Sequence, residues 1–303
     1  MSVFRLLRNR NFILILALVL GIVFGKVANW TAQLIFPVLA LAMTVTATQI
    51  SSRAFFPLRG LVRPMLLAIA LNYLLFGTVV LTMARWLMPD RELWSGFVLV
   101  AAAPPGVGII PFTYILAGDT TLSVIGTVGA YLAALVIMPA MGLLLVGESF
   151  VQPVKLITIL VELVVVPLVF SRLLLATGFA RRIERWRGTI VNWSFFLVIF
   201  TVVGLNREVF LRQPEVLALT SAVAIVCIFV LGYLVEFTLR RRGVTRAARV
   251  SLTLLGTMKN SAVAAGTALA LFEERASMPA VVVGVFTVIY IVWLSLRAER
   301  SQV

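Results

Sequence analysis

Histidine is absent from the 303 residues, cysteine occurs once, and only 13% of the chain is charged. The first absence removes imidazole-based zinc and haem sites, Ser-His-Asp triads and the usual proton-relay side chain. The single Cys227 lies in an apolar run, SAVAIVCIFVLGYLV, so it forms no intramolecular disulfide and reads as a small buried hydrophobe. The shortage of charge excludes most. A soluble domain is about 45–50% apolar and about a quarter charged, whereas this chain is 61% hydrophobic with a mean hydropathy of +1.08. So little polar surface does not clothe a water-exposed globule, and the chain reads as an integral membrane protein. Any chemistry it performs rests on carboxylates, lysine, hydroxyls, amides or backbone.

The charge that is present is one-sided: 26 Lys+Arg against 12 Asp+Glu, a formal +14. Its placement decides what it means. A bilayer core of about 30 Å needs roughly 20 apolar residues per helix, and runs of that length predict ten spans. These fall at about 11–29, 31–50, 64–84, 93–117, 119–147, 152–171, 188–205, 214–238, 250–272 and 276–296. The start, MSVFRLLRNRNFILILALVLGIVFG, is basic then apolar like a signal peptide, but it lacks a convincing small-x-small cleavage site and reads as an uncleaved first span. With the N-terminus inside, 18 basic residues fall on the inner side, among them Arg5, Arg8, Arg10, the 181–187 cluster and the 240–249 cluster. Six fall outside: Lys26, Arg85, Arg91, Arg207, Arg212 and Arg275. Lys155 and Lys259 lie within spans. The positive-inside rule then puts both termini in the cytoplasm of a cell inner membrane. The basic total is topological, and nucleic acid is not an expected partner.

Two spans are interrupted. The fourth carries Ala103-Pro104-Pro105-Gly106-Val107-Gly108, where prolines remove backbone donors and glycines loosen the helix. The ninth carries Gly256-Thr257-Met258-Lys259-Asn260-Ser261. The breaks lie about 152 residues apart in a chain whose half-length is about 151. Each falls in the fourth span of a five-span half, and because five is odd the second half runs inverted. The expected fold is an all-α membrane protein of ten helices in two inverted five-helix repeats, with broken helices crossing in spans 4 and 9. Paired interruptions of this kind mark the midplane site of secondary transporters, where free N–H groups attract anions and free carbonyls bind cations. The candidate contacts are Pro104, Gly106, Gly108, Ile109, Ile110 and Thr113 from one break, and Thr257, Met258, Lys259, Asn260 and Ser261 from the other.

The segments APPGVGIIPFTYILAGDTTLS (103–123) and LLGTMKNSAVAAGTALALF (254–272) resemble the two crossover motifs of the bile acid:sodium symporter superfamily, PGG-T-A-S-N…TYLA-GD…LS and E-x-G-M-Q-N-S-G-L-A in its sodium-coupled members. They are shared in part with arsenite-efflux and auxin-efflux-like relatives. The resemblance implies a panel domain, 1–50 plus 151–205, a core domain, 60–147 plus 214–297, and substrate bound between them. Carried over residue by residue, the family's Ser and Asn of the first motif fall on Ile109 and Ile110, its sodium-binding Glu on Leu255 and its Gln on Lys259. Met258, Asn260 and Ser261 persist, and a third-span Gln corresponds to Asn72. Sodium wants a shell of hard oxygens, as calcium and magnesium do. With carbon in place of those oxygens and an ammonium in the second site, neither sodium nor any other cofactor is expected to bind.

Lys259 is then the informative charge. A lysine near the centre of a span costs about 2.5–3.5 kcal/mol on the insertion scale, so it faces a partner or a cavity. It reads as a tethered cation in the lost sodium site, as a proton carrier, or as one side of a structural ion pair. The fixed cation is favoured, since a lysine titrates near neutrality only when displaced far from its ordinary value. Glu162, in ITILVELVVVPL, is the one carboxylate deep in a span, and the expected partner. A Lys259–Glu162 contact would serve as a gate or proton-coupling pair; alternatively Glu162 faces a panel cavity or binds substrate directly. Asp119, Glu273 and Glu274 read as helix-end caps, and Trp30, Trp86, Trp94 and Trp293 as interfacial anchors.

The sequence thus predicts a sodium-independent secondary transporter of a small organic anion, not an enzyme, with its oligomeric state left open. Two rivals stand beside it. One is a proton-linked exporter resembling auxin-efflux-like carriers. The other is an intramembrane enzyme using Lys259 with Ser261 or Ser251, whose spacings put the pairs on poorly matched faces. A channel would need a selectivity segment that is not visible.

Overall fold

The computed structural model describes residues 9–48, 58–88, 90–106, 108–147, 154, 158, 161–205, 207 and 214–300. Among these the chain is helical throughout, and no strand forms beyond one isolated bridge. In chain order the helices are α1 (Arg10–Val23), α2 (Ile35–Ala47), α3 (58–87), α4 (Arg91–Ala102), α5 (Ile109–Ile115) and α6 (Thr120–Val146). They continue with α7 (161–176), α8 (Phe179–Ile183), α9 (Arg187–Leu205), α10 (Pro214–Arg241), α11 (Arg246–Thr257), α12 (Ser261–Leu271) and α13 (Met278–Arg300).

Six helical stretches among the described residues are long and apolar enough to cross a membrane: Gly25–Val45, Gly60–Leu87, Thr120–Val146, Phe179–Leu205, Pro214–Arg241 and Glu274–Ile291. Their outward faces are aliphatic, with Leu66, Leu74, Val136 and Leu144 exposed, as suits contact with lipid rather than water. Trp30 and Trp86 are about 86% and 84% exposed near helix ends, the position of interfacial anchors. Trp94 differs: its Nε1 donates to Leu145 O at 3.1 Å and ties α4 to the end of α6. Trp293 stacks on Tyr290, with the Arg297 guanidinium over its ring.

The first two expected spans are displaced. The structure ends α1 at Val23 and resumes helix at Gly25, where 3-10 segments (Gly25–Val27 and Ala32–Leu34) flank a short α-helical segment (Ala28–Thr31) and lead directly into α2. Gly25, Lys26, Asn29, Thr31 and Gln33 thin the apolar run there, so the first helix stops short and the second begins earlier, within the stretch Gly25–Val45. The sixth expected span is described from residue 161 and runs on to Ala176; its first residues, with Lys155, and the 49–57 link lie outside the described residues.

Three helices contain π-helical stretches, Ala70–Phe76 in α3, Val161–Val165 in α7 and Val226–Val230 in α10. The α4 helix is the most enclosed: from Ser95 to Ala102 every residue is buried, packed by α3, α6, α12 and α13. The α1 and α2 helices pack on α9, α7 packs on α2, and this group meets the rest where α2 leans on α12 and α9 on α12 and α13.

Candidate functional site

Two helix breaks face each other. The α4 helix stops at Ala102 because Ala103 turns extended (φ −60°, ψ 146°) ahead of the two prolines, and helix resumes at Ile109. The α11 helix stops at Thr257, Met258 is extended (φ −102°, ψ 110°), and α12 starts at Ser261 with Asn260 as its cap. The opened strands pair with each other: Gly106 N donates to Met258 O at 3.1 Å and Asn260 N donates to Pro104 O at 2.8 Å. Four backbone groups that lost helical partners are thereby satisfied. Gly106 eases this approach, since a Cβ there would sit 3.2 Å from the carbonyl oxygen of Lys259, tighter than an ordinary van der Waals contact.

The bridge aims Lys259 into the protein. Only 2% exposed, its ammonium donates to Asn72 Oδ1 at 2.6 Å, Ala101 O at 2.7 Å and Ala103 O at 2.8 Å. Three N–H donors thus meet three oxygens. The chemistry of Pro105 explains why one oxygen is free: in a continuous helix Ala101 O would bond the N–H of residue 105, and proline has none. These carbonyls lie at the C-terminal, negative end of α4, where a cation is favoured. The Tyr73 and Phe76 rings lie 4.5 and 5.3 Å from the ammonium and add cation–π attraction.

Asn72, Tyr73 and Phe76 all come from the π-helical stretch of α3, whose wider turn presents them to one cation. Asn72 is held from both sides. Its Oδ1 accepts from Lys259, and its Nδ2 donates at 3.0 Å to Leu255 O, one of the unpaired carbonyls at the end of α11. It is therefore an anchor of the lysine rather than a free substrate contact.

The other expected residues separate into those at the crossing and those beside it. Asn260 caps α12 through Oδ1, which accepts from Val263 N, while its Nδ2 donates to Tyr131 Oη at 2.8 Å. Tyr131 in turn reaches the Met43 sulfur on α2 at 3.6 Å, so this chain crosses from α12 through α6 to α2. Met258 is buried against Ile109, Phe112 and Leu255. Thr113 shares a hydrogen bond with Ser123 at 2.7 Å and Thr257 donates to its own helix at Thr253 O, so both hydroxyls are committed away from the crossing. The Ser261 hydroxyl is buried without a partner. Pro104 and Gly108 act through backbone carbonyls, accepting from Asn260 N and Phe112 N.

Ile109, Ile110 and Leu255 are buried among aliphatic side chains, Ile109 and Leu255 with Ala68, Phe112 and Leu254, and Ile110 with Val124 and Val128. Carbon, not oxygen, lines these positions.

The expected Lys259–Glu162 contact is not made in this structure. Glu162 lies on the exposed face of the α7 π stretch, and Lys259 is held by Asn72 and backbone instead. The pairing was expected because Glu162 is the one carboxylate deep in a span; carbonyls freed by a helix break supply the negative end without a carboxylate. The Ser–Lys pair does not form either: Ser251 Oγ donates to Asp119 O at 2.8 Å, and the Lys259 donors are all engaged elsewhere. Asp119 caps α6 as expected, accepting from Leu122 N, whereas Glu273 makes no side-chain cap bond. Tyr73, Phe76, Tyr131 and Met43 were not anticipated. Tyrosines in mid-span, each needing a hydroxyl partner, were the available signal.

Six helices among the described residues that are long and apolar enough to cross a bilayer mark a multi-pass membrane protein. The chain belongs to the SBF-like CPA transporter family, whose model matches residues 11–301. It is a multi-pass membrane transporter. No curated protein matches the chain.

Proposed function

We propose that the protein is a sodium-independent secondary transporter of a small organic anion, with Lys259 standing where sodium-coupled relatives hold the ion. One observation carries this reading: three oxygens from two separate elements converge on the Lys259 ammonium at 2.6–2.8 Å, at the crossing of two broken helices. Three oxygens satisfy the three N–H donors of an ammonium, so the place holds a cation that cannot leave. The aliphatic packing around Ile109, Ile110 and Leu255 supports the loss of sodium from the remaining positions.

The ten-helix inverted repeat is part of the proposal. It is supported by the breaks at corresponding places and by π-helical stretches in α3 and α10, the third helix of each proposed half. The α3–α6 and α10–α13 helices form the core, and α1, α2 and α7–α9 the panel. The Asn260–Tyr131–Met43 chain spans core and panel, and Met43 packs there with Leu168 and Phe195. Alternating access parts this contact. The opened face presents Asn260, Tyr131 and the N-terminal end of α12 to the substrate, and that helix end favours an anion. The basic inner loops support an inner-membrane protein with both termini cytoplasmic.

The test is flux of a panel of organic anions into proteoliposomes with sodium or choline as the external cation. Saturable uptake with counterflow, equal in both salts and lost in Lys259→Met, is expected. Uptake requiring sodium overturns the surrogate-cation reading. Uptake driven by a proton gradient alone favours the proton-linked exporter.

A further inference from the structure

Away from the crossing, a cavity of about 200 Å³ opens where the C-terminal ends of α10 and α13 meet the N-terminal end of α11. One wall is a single face of α11, since Arg246, Arg249, Val250, Thr253 and Leu254 recur at helical spacing. Arg297 and Leu294 of α13 and Glu236 of α10 complete its polar mouth and apolar floor. Three guanidinium groups face one carboxylate, so the cavity keeps a positive excess.

Two polar groups here lack an explanation within the fold. Thr253 is 4% exposed and its hydroxyl has no hydrogen-bond partner. Arg249 is fixed by donation from Nη1 to Val244 O at 2.8 Å, yet its buried Nε has none. Buried polar groups are nearly always satisfied, and a hydroxyl left so among arginines lacks an acceptor that brings negative charge. The volume is below the about 300–1,000 Å³ of sites for drug-sized ligands, which limits the occupant to a headgroup-sized fragment.

We propose that this cavity binds a phosphate group, held by Arg246, Arg249, Arg297 and the Thr253 hydroxyl. The aliphatic floor, at the ends of α10 and α13, two of the helices long and apolar enough to cross a membrane, fits the phosphate of an anionic phospholipid with its glycerol carbons against Leu254 and Leu294. Basic pockets between helix ends on the inner face are the places where such headgroups bind. A soluble phosphate has the same recognising chemistry, so the two sources are separated by experiment.

The full-length protein in detergent, stripped of lipid, is heated with dioctanoyl phosphatidylglycerol, dioctanoyl phosphatidylcholine or inorganic phosphate, and unfolding is followed by intrinsic fluorescence. Because ligand binding to the folded state raises Tm by mass action, an upward shift with phosphatidylglycerol that exceeds the shift with phosphatidylcholine is expected. In Arg249→Gln the concentration giving half the shift rises about tenfold or more. Exposed Arg246→Gln and near-isosteric Thr253→Val, which leave the fold intact, weaken the response in the same direction. An equal shift with inorganic phosphate assigns the site to a soluble phosphate; a shift with phosphatidylglycerol alone assigns it to lipid. No shift with either, equal shifts with both lipids but none with phosphate, or a shift that all three variants retain, overturns the proposal.

Discussion

The π-helical stretches of α3 and α10 use the same backbone device for different ends. Ala70–Phe76 turns Asn72, Tyr73 and Phe76 toward a buried ammonium. Val226–Val230 carries Cys227 and Ile228 into the hydrophobic core, where both are buried. A widened helical turn is therefore not in itself a site, although such turns are frequent at functional positions. What separates the two is a partner: the broken α4 leaves carbonyls unpaired, the broken α11 supplies a cation, and the α3 stretch closes the cage around it. The second stretch has no unpaired group to serve and packs as ordinary core.

The largest effect that breaks this contrast is expected from Lys259→Met. Asn72 Oδ1, Ala101 O and Ala103 O lose their donor together, and a stranded buried acceptor costs about 1–3 kcal/mol. A stability loss of about 3 kcal/mol or more and abolished flux are expected, read by thermal unfolding and proteoliposome uptake. Adding Asn72→Leu to this variant removes one stranded acceptor but strands Leu255 O in its place and leaves the two backbone carbonyls, so little recovery is expected. Full recovery would show that the cage is not what Lys259 stabilises.

Asn72→Leu alone comes next. It takes one acceptor from the ammonium and leaves Leu255 O without the donor that now satisfies it. About 2 kcal/mol is expected, within the range for an unsatisfied buried polar group. The corresponding change on the other π stretch, Cys227→Ala, deletes a buried sulfur that makes no polar contact. It is expected to cost about 1 kcal/mol, the middle of the distribution for point substitutions, and to leave flux unchanged. If Cys227→Ala impairs flux as Asn72→Leu does, the two stretches are functionally alike and the contrast fails.

Much of this was legible from residue types. Pro104-Pro105 and Gly106 announce a break because they remove donors and permit close approach, and a lysine amid apolar residues announces a cage. The breaks fall where sequence puts them. The identity of the lysine's partners was hidden for a physical reason. Two of the three acceptors are backbone carbonyls, which every residue carries, so no letter in the sequence marks Ala101 and Ala103. The aromatic walls were less hidden, because Tyr73 and Phe76 share the helical face of Asn72 by ordinary spacing, but an apolar span carries many aromatics and nothing in their spacing singles out these two. Tyr131 and Met43 meet Asn260 across distant helices, a matter of tertiary packing alone. Glu162 misled because a carboxylate is the visible complement of a lysine, while a helix end offers the same sign of charge invisibly.

The smallest effect is expected at that residue. Glu162 is exposed on α7 and makes no hydrogen bond or ion pair among the described contacts, so Glu162→Gln removes no satisfied interaction from this state. Its stability is expected to stay within about 0.5 kcal/mol of the parent, as for surface substitutions away from special features. Its flux measured against pH is expected to follow the parent's profile, because the ammonium it was thought to balance is already balanced by three oxygens. A displaced profile with unchanged stability would mean that Glu162 meets the transported proton or the substrate in another state of the cycle, and the cage at Lys259 would then be one half of a coupling device rather than the whole of it.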